Sequence, residues 1–420
     1  MHADDQDTTT RAAKGLLRPW HFIIAFGVVS LLADMVYEGA RSIIGPYLAT
    51  LGASATVVGI VAGAGEFIGY GLRVVTGYAV VRTRHYWTWT IVGYALTVLS
   101  VPLIGVTGVI APALLLYGTE RLGKAVRSPA KDTLLSHASA RTGRGSAFGV
   151  HQALDQTGAV LGPLLLAAVL GWRDGDYALA FGVLIVPGVL VLALLFWLRH
   201  RVPDPLVYET PAAQERQAAA VPSAARPAAP LRRGLPGRFW LYVAAIAVLS
   251  AGIASFPLLA YHAQSRHLLT DAQVPILFAV AMFVDGASGL VMGRAYDRFG
   301  PRTLYLVPVA AGVAAIAFTQ SVALIWIGVA VWGVVNGILD STVKAVVTEL
   351  VPSASRAIAF GWLAFVRGAG LLVAGAVLGF AYDRGAIVVI ATALVANALG
   401  LIGLVLVLRT VGSAKAVSGP

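Results

Sequence analysis

Long apolar runs alternate with short polar segments along nearly the whole chain. Read as helices, the runs cover approximately residues 20–48, 54–81, 87–107, 109–128, 145–170, 176–198, 238–264, 270–293, 303–320, 322–350, 357–381 and 386–409. An α-helix needs about 20 apolar residues to cross a bilayer, whereas a transmembrane strand needs only about 9 to 11 with strict alternation. The runs are long and apolar on every face, so they predict twelve membrane-spanning helices and no barrel.

Composition supports this prediction. Of the 420 residues, 58% are hydrophobic and 12% are charged, and the mean hydropathy is +0.79. A soluble domain carries about 25% charged residues, so that class of protein is excluded. The chain has no cysteine. Disulfides, zinc–thiolate sites, iron–sulfur clusters and thiol nucleophiles are therefore excluded as well, and we expect neither a cofactor nor a metal.

The net charge of +11 raises the question of a nucleic-acid partner, and the positions of the basic residues answer it. If the amino terminus is cytoplasmic, 21 Lys and Arg residues lie on the cytoplasmic side, and only Arg173, Arg266 and Arg384 lie opposite. By the positive-inside rule both termini are cytoplasmic. We therefore predict a multi-pass protein of the cell (cytoplasmic) membrane, an inner membrane where there are two, with no nucleic-acid partner.

One long connection divides the helices six and six. It covers residues 199–237 and is rich in Pro, Ala, Arg and Gln, a composition typical of a linker. The predicted units are a tail at 1–19, a bundle at 20–198, the linker, a bundle at 238–409 and a tail at 410–420. A further similarity links the halves, because Arg144-Gly-Ser-Ala-Phe-Gly149 matches Arg356-Ala-Ile-Ala-Phe-Gly361. The fold class predicted is an all-α polytopic membrane protein, built as two six-helix bundles in parallel pseudo-repeat.

The segment between predicted helices 8 and 9 carries the most specific motif. It reads Gly293-Arg-Ala-Tyr-Asp297-Arg298-Phe-Gly300-Pro-Arg302. This segment fits the cytoplasmic G-x-x-x-D-R-x-G-x-R signature of the major facilitator superfamily, which the chain resembles from about residue 20 to 410. The resemblance implies that Gly293, Asp297, Arg298, Gly300 and Arg302 form a gate latch, and a solvated positive loop is the alternative. The equivalent segment of the first half has Val81 in place of the aspartate.

Predicted helix 5 contains a second family-like element. Its Gly158-Ala-Val-Leu-Gly162-Pro163 is similar to the core of that family's antiporter signature, although the paired glycines that follow in the family are absent. Two glycines one turn apart allow tight helix packing, and the proline removes a backbone donor and bends the helix. We expect Gly158, Gly162 and Pro163 to act in gating, and the element favours export.

Ionisable residues inside the helices point to the transport chemistry. Each costs at least about 2.5 to 3.5 kcal/mol in hydrocarbon, so it should face a cavity or a partner. Asp34, Glu66 and Asp155 lie near mid-depth with no obvious base nearby in the sequence, and we predict that they couple transport to protons. The resemblance adds that family members often place coupling acids on helices 1, 4 and 5.

A second set of polar residues is predicted to line the substrate cavity. Its members are Tyr37, Glu38, Arg41, Glu120, His151, Gln152, Asp285, Asp340 and Arg367. The alternative is that the charges only pair off to stabilise the fold. Those pairs would join Asp34 or Glu38 to Arg41, Glu120 to Lys124, and Asp340 to Lys344.

The function predicted from these features is secondary active transport by alternating access. The leading form is proton-coupled efflux of small organic or amphiphilic molecules, and the alternatives are proton-coupled uptake of a sugar, organic acid or similar nutrient, and lipid transport. An enzyme is not expected, because the sequence has no H-E-x-x-H, G-x-S-x-G or G-x-x-x-x-G-K-[ST] motif. The expected partners are a small-molecule substrate, protons and the lipid bilayer, with no obligate protein partner.

Overall fold

The computed structural model of the protein describes residues 17–140, 142, 144–209, 235–352 and 355–417, and within these ranges the chain forms helices and no strand. The first half contains α1 (Pro19–Thr50), α2 (Ala55–Thr83), α3 (Tyr86–Ile104), α4 (Ile110–Ser139), α5 (Arg144–Trp172), α6 (Tyr177–Val183) and α7 (Ile185–Arg201). The last two helices meet at Leu184 and form one crossing. The first half therefore crosses six times.

The second half repeats this arrangement. It contains α8 (Gly237–Ala251), α9 (Phe256–Ser265), α10 (Gln273–Phe299), α11 (Leu306–Ala314), α12 (Val322–Leu350), α13 (Arg356–Asp383) and α14 (Ala386–Val417). Helices α8 and α9 are two parts of one crossing, interrupted at residues 252–255. Short 3-10 segments at Gly300–Tyr305 and Ala315–Phe318 extend α11 at both ends. The second half therefore also crosses six times.

Hydropathy agrees with this count. Ten segments among the described residues are long and apolar enough to cross a membrane, and one of them, Gln273–Phe318, contains both α10 and α11. The chain turns between these two helices at Gly300, whose φ of +64° favours glycine. Helix α4 is 30 residues long, but it is too polar to belong to the ten. Adding α4 and separating α10 from α11 gives the twelve crossings that the apolar runs predict.

Helix α4 is longer than its apolar run. The sequence pattern places its end near residue 128, whereas the helix continues to Ser139. The added turns are amphipathic, because Leu134, Leu135 and Ala138 are buried while Asp132 is exposed. A search for continuous apolar residues does not detect such a segment. This extension brings Lys131, which the sequence pattern places in a loop, onto a helix.

The first residues of the predicted linker pack on the N-terminal bundle. Val202 and Tyr208 are buried, and the Tyr208 hydroxyl donates a hydrogen bond to the Leu17 carbonyl at 2.7 Å. The carbonyl of Val202 accepts a hydrogen bond from the Trp87 indole at 3.0 Å. Burial raises the pKa of Tyr208 to about 12. Most of the predicted linker, residues 210–234, lies outside the described residues, as does the start of the chain, residues 1–16.

The molecule has two sides, a linker side and a far side. The linker side is the one where α7 ends at Arg201 and α8 begins at Gly237, and the far side is the one that holds the loop at residues 51–54.

Glycines let α5 pack closely on α1 within the first bundle. A Cβ at Gly158 or Gly162 would collide with the α1 backbone at Leu31 or Met35. Pro163 lies inside the same helix, α5.

Candidate substrate cavity and gates

A cavity of about 270 Å³ lies between the two bundles. Helices α1, α2, α4 and α5 of the first bundle and α10, α12 and α13 of the second supply its charged wall. The acidic residues in the wall are Asp34, Glu38, Glu66, Asp132, Asp155, Asp285 and Asp340, and the basic ones are Arg41, Arg73, Lys124, Arg127, Lys131 and Arg367. The cavity is therefore strongly polar and nearly balanced in charge.

The cavity contains most of the residues that the sequence predicts for it. Lining residues include the three coupling candidates and also Tyr37, Glu38, Arg41, Gln152, Asp285, Asp340 and Arg367. Glu120 and His151 do not line it, because both are buried behind the wall, 1% and 5% exposed. Lys131 also lines the cavity, although its sequence position did not lead to a predicted role. Its position seven residues after Lys124 and four after Arg127 was the available signal, since all three share one face of α4.

A network of ion pairs joins α1, α2 and α4. The Glu66 carboxylate lies 3.1 Å from the Arg41 guanidinium and 3.4 Å from that of Arg121. Glu38 connects to the same network, at 3.5 Å from Arg41 and 3.7 Å from Lys124. Arg121 is fully buried, so the carboxylates around it supply the charge compensation that burial requires. Glu66, which has no base nearby in the sequence, is thus paired twice in space.

Two of the acids for which the sequence suggested a base form ion pairs with a different base. Glu120 pairs with Arg121, at 2.6 Å between Oε2 and Nε, while Lys124 turns toward Glu38. Asp340 pairs with Arg367 at 3.0 Å. In both cases the sequence suggested the base one helical turn further along. The structure instead uses an adjacent residue or a base from another helix.

Asp34 and Asp155 lie in a different environment. Lys131 is 3.9 Å from Asp155 and donates a hydrogen bond to the Ser30 hydroxyl at 3.4 Å. That hydroxyl is 3.2 Å from Nε2 of His151. Asp34 is 4% exposed, and no base of the described chain lies within 4 Å of its carboxylate. Asp34 is therefore a buried cavity carboxyl without an ion-pair partner.

Aromatic rings hold two of the basic side chains in place. Lys124 and Arg127 lie over the Tyr37 ring, at 4.4 and 4.8 Å from its centroid. Arg127 also lies 4.6 Å from the Tyr94 centroid and donates a hydrogen bond of 2.7 Å to Thr97. These contacts position two cations at the cavity wall, and Lys124 is also paired with Glu38.

The far side of the cavity is closed by direct packing between the bundles. Backbones of α2 and α13 approach so closely that a Cβ at Gly59 would collide with Gly375. At the end of α13, Asp383 accepts hydrogen bonds from the amides of Ala55 and Thr56 at 3.1 and 3.0 Å and from the Thr56 hydroxyl at 2.6 Å. A residue of the second bundle thus caps the first turn of α2, a helix of the first bundle. These contacts form a far-side gate.

The linker side is open by comparison. Asp132, Gln152 and Asp340 line the cavity and are exposed. A Cβ added at Gly149 of α5 or at Gly293 of α10 would meet nothing within 4 Å. Helices α5 and α10 of the two bundles are therefore apart on the linker side, where the predicted latch lies, while α2 and α13 remain in contact as far as Val74 and Gly361.

The predicted latch residues lie at the end of α10. Asp297 and Arg298 are exposed on its last turn, Gly300 ends the helix, and Arg302 lies in the 3-10 segment that follows. The neighbouring Tyr296 hydroxyl donates to the Glu349 carboxylate at 2.7 Å. Both residues of this hydrogen bond belong to the second bundle.

Comparison with protein families decides the class of this molecule. The model of the Major Facilitator Superfamily matches residues 27–373 and 241–419. The chain belongs to the Major Facilitator Superfamily. It is therefore a multi-pass membrane transporter and not an enzyme, as the sequence predicts.

Two relatives cover most or nearly all of the chain. The uncharacterized protein Rv2265 of Mycobacterium tuberculosis is 47% identical over 392 residues, which is 92% of this chain and 93% of that protein. The uncharacterized MFS-type transporter MJ1317 of Methanocaldococcus jannaschii is 22% identical over 85% of this chain and 87% of its own.

Solved structures show the same fold around different cargoes. A POT family transporter in complex with 5-aminolevulinic acid superposes with a TM-score of 0.74 at 10% identity, covering 93% of this chain and 96% of that one. The nucleoside transporter NupG superposes with a TM-score of 0.70 at 12% identity, covering 92% and 99%. The fold is shared while the cargo differs, so function has to be argued from the cavity.

Proposed function

We propose that this protein is a proton-coupled exporter of small, ionised organic molecules. The observation that carries the proposal is Asp34, a buried carboxyl in the cavity wall with no base within 4 Å among the described residues. An unpaired buried charge is costly, and a proton removes that charge. Asp34 can therefore exist as a neutral acid in the closed wall and as an anion once water or a base reaches it.

Lys131 is the base that we assign to this exchange. It lies 3.9 Å from Asp155 and 3.4 Å from Ser30, one helical turn before Asp34 on α1. Loss of the Asp34 proton would create a second anion for Lys131 to attract. If Lys131 then moved from Asp155 toward Asp34, the packing of α1, α4 and α5 would change. Protonation of Asp34 would in this way be linked to conformation.

The substrate class follows from the wall. Thirteen charged residues line the cavity, and they carry both signs. Such a wall can pair with the charged groups of a polar molecule, whereas a long acyl chain or an apolar drug would leave these charges unpaired. Among the substrates that the sequence left open, the cavity favours ionised organic molecules over amphiphiles and lipids.

The orientation and direction rest on the sequence. The excess of Lys and Arg on the linker side supports a cytoplasmic position for that side, and the open cavity would then face the cytoplasm. Export is proposed because Gly158, Gly162 and Pro163 resemble the antiporter signature. The close contact of both glycines with α1 supports a role in moving α5 relative to α1.

Purified protein in proteoliposomes tests the proposal. Ionised organic molecules that raise the melting temperature in detergent would be loaded, and their flux would be followed under an imposed pH gradient. We expect the gradient to drive flux in the native protein, and Asp34→Asn to abolish gradient-driven flux while retaining exchange of substrate for substrate.

Asp174→Asn is the matched control. Asp174 is exposed in a far-side loop, and its φ of +46° is one that asparagine tolerates. Gradient-driven flux that is unchanged in Asp34→Asn would refute the coupling role of Asp34. Accumulation against the proposed direction would instead identify an uptake symporter.

A further inference from the structure

Two arginines of the cavity wall come from opposite bundles and meet on one aromatic ring. Arg73 of α2 lies 5.2 Å from the centroid of the Tyr70 ring, and Arg367 of α13 lies 5.4 Å from the same centroid. All three side chains line the cavity. The Tyr70 ring therefore contacts guanidinium groups from both bundles, at the boundary between them.

Nearby carboxylates balance only part of the positive charge of these two arginines. The Arg367 guanidinium lies 3.0 Å from the Asp340 carboxylate. No carboxylate of the described chain lies within 4 Å of the Arg73 guanidinium. The Nε atoms of Arg73 and Arg367 are both buried without a hydrogen-bond acceptor. Arg41, which lines the same cavity, differs in having two carboxylates within 3.5 Å. A buried guanidinium donor left without an acceptor is unfavourable unless a ligand supplies one.

We propose that Arg73, Arg367 and Tyr70 form an anion subsite that binds a carboxylate or phosphate group of the transported molecule. This inference rests on the proposed function only in that the cavity admits a substrate. A guanidinium presents two parallel N–H donors, which match the paired oxygens of a carboxylate or phosphate. Contact with the Tyr70 ring restricts the planes of both guanidinium groups, and so reduces the entropy lost on binding.

A bound anion would also connect the two bundles. Arg73 belongs to the first bundle and Arg367 to the second, so an anion held by both would add a contact between α2 and α13, which already pack together beside the subsite at Tyr70 and Gly368. Such a contact exists only when the bundles are close, and a ligand shifts a conformational equilibrium toward the state that it binds better. The subsite would therefore favour closure of the linker side over the loaded cavity.

Binding by purified protein in detergent tests the subsite without any need for transport. The probes are succinate, inorganic phosphate and neutral glycerol, each compared with sodium chloride at the same ionic strength because charge interactions are screened by salt. We expect succinate, phosphate or both to raise the melting temperature, and glycerol to have no effect. Succinate alone would indicate a carboxylate site, and phosphate alone a phosphate site.

Variants identify the residues responsible. Arg73→Gln should weaken the responding anion about tenfold to a hundredfold, because it removes a charge-assisted pair of hydrogen bonds. Tyr70→Leu should weaken it less, and Tyr70→Phe should retain it, because the ring is kept. Arg82→Gln is the matched control, since Arg82 is exposed at the end of the same helix.

The bridging step has a separate readout. The native chain contains no cysteine, so spin labels can be placed at Val81 of α2 and Ile358 of α13, which are both exposed. The responding anion should shorten the distance between the labels, and Arg73→Gln should prevent this shortening. A distance that does not change while the anion is bound would overturn the bridging role.

The anion subsite is overturned if no anion of the panel stabilises the native protein, or if Arg73→Gln binds as the native protein does. These outcomes are distinct from failure of the proposed function. Anion binding is measured without a pH gradient, so a protein that binds succinate through Arg73 yet shows no gradient-driven flux would retain the subsite and lose the proton coupling.

Discussion

The two bundles share one fold but form the cavity wall with different chemistry. In the first bundle, Glu38, Arg41, Glu66, Arg121 and Lys124 form a connected and mostly buried network. In the described part of the second, Arg367 and Asp340 form the one ion pair of the wall, and Asp340 has a side chain that is 60% exposed. The rest of the second bundle's wall consists of Asp285 and uncharged residues such as Trp332 and Leu339. The pseudo-repeat thus conserves helix packing, while ionisable chemistry is concentrated in the first bundle.

The largest effect expected from this contrast is on stability. Glu66→Gln leaves Arg121 with one carboxylate in a buried setting, and removing one partner of a buried pair costs about 3–5 kcal/mol. Asp340→Asn acts on a pair with an exposed partner and should cost about 0–1 kcal/mol. Denaturant unfolding in detergent measures both. Equal losses would show that the two walls are equivalent after all.

A second prediction concerns the far-side gate, to which both bundles contribute a glycine. Gly59→Ala and Gly375→Ala each place a methyl group against the backbone of the other helix, so each should destabilise the closed far side by about 1–3 kcal/mol. Labelling of cavity cysteines from the far side should then increase. Gly69→Ala, on α2 where a Cβ would meet nothing within 4 Å, is the control and should leave labelling unchanged. An effect from only one of the two gate glycines would contradict a symmetric gate.

A smaller effect is expected from the cap that spans the bundles. Asp383→Asn removes the charge that accepts hydrogen bonds from Ala55 and Thr56, and loss of a helix cap costs about 1 kcal/mol. That amount corresponds to about a fivefold shift in the conformational equilibrium toward the state open on the far side. Double electron–electron resonance between far-side labels measures the shift. No redistribution would mean that the glycine contacts alone hold the gate.

The smallest effect in this structure is expected at the predicted latch. Asp297 is exposed and lies in no ion pair among the described residues, so Asp297→Ala should change stability of the linker-side-open form by less than about 0.5 kcal/mol. If the latch forms only when the linker side closes, the same variant should increase linker-side labelling. Val81 occupies the matching place in the first half, and Val81→Ala should have no such effect. Identical labelling in both variants would favour a solvated loop.

Much of the architecture was accessible from local sequence. The apolar runs located twelve crossings because hydrophobicity sums along a segment and needs no knowledge of neighbours. Helical spacing also identified Glu38 with Arg41 as one polar stripe, and the structure places this pair at 3.5 Å. The family was visible in the Gly293–Arg302 motif. These features depend on residues close together in the chain.

Other features depended on how helices approach one another. Arg121 reaches Glu66, 55 residues earlier, and Asp383 caps a helix that begins 328 residues before it. Arg73 and Arg367 converge on Tyr70 only because α2 and α13 cross at the boundary between the bundles. Sequence spacing determined which residues share a helix face. The tertiary structure decided which face meets which, because that choice follows from packing energy summed over whole helices.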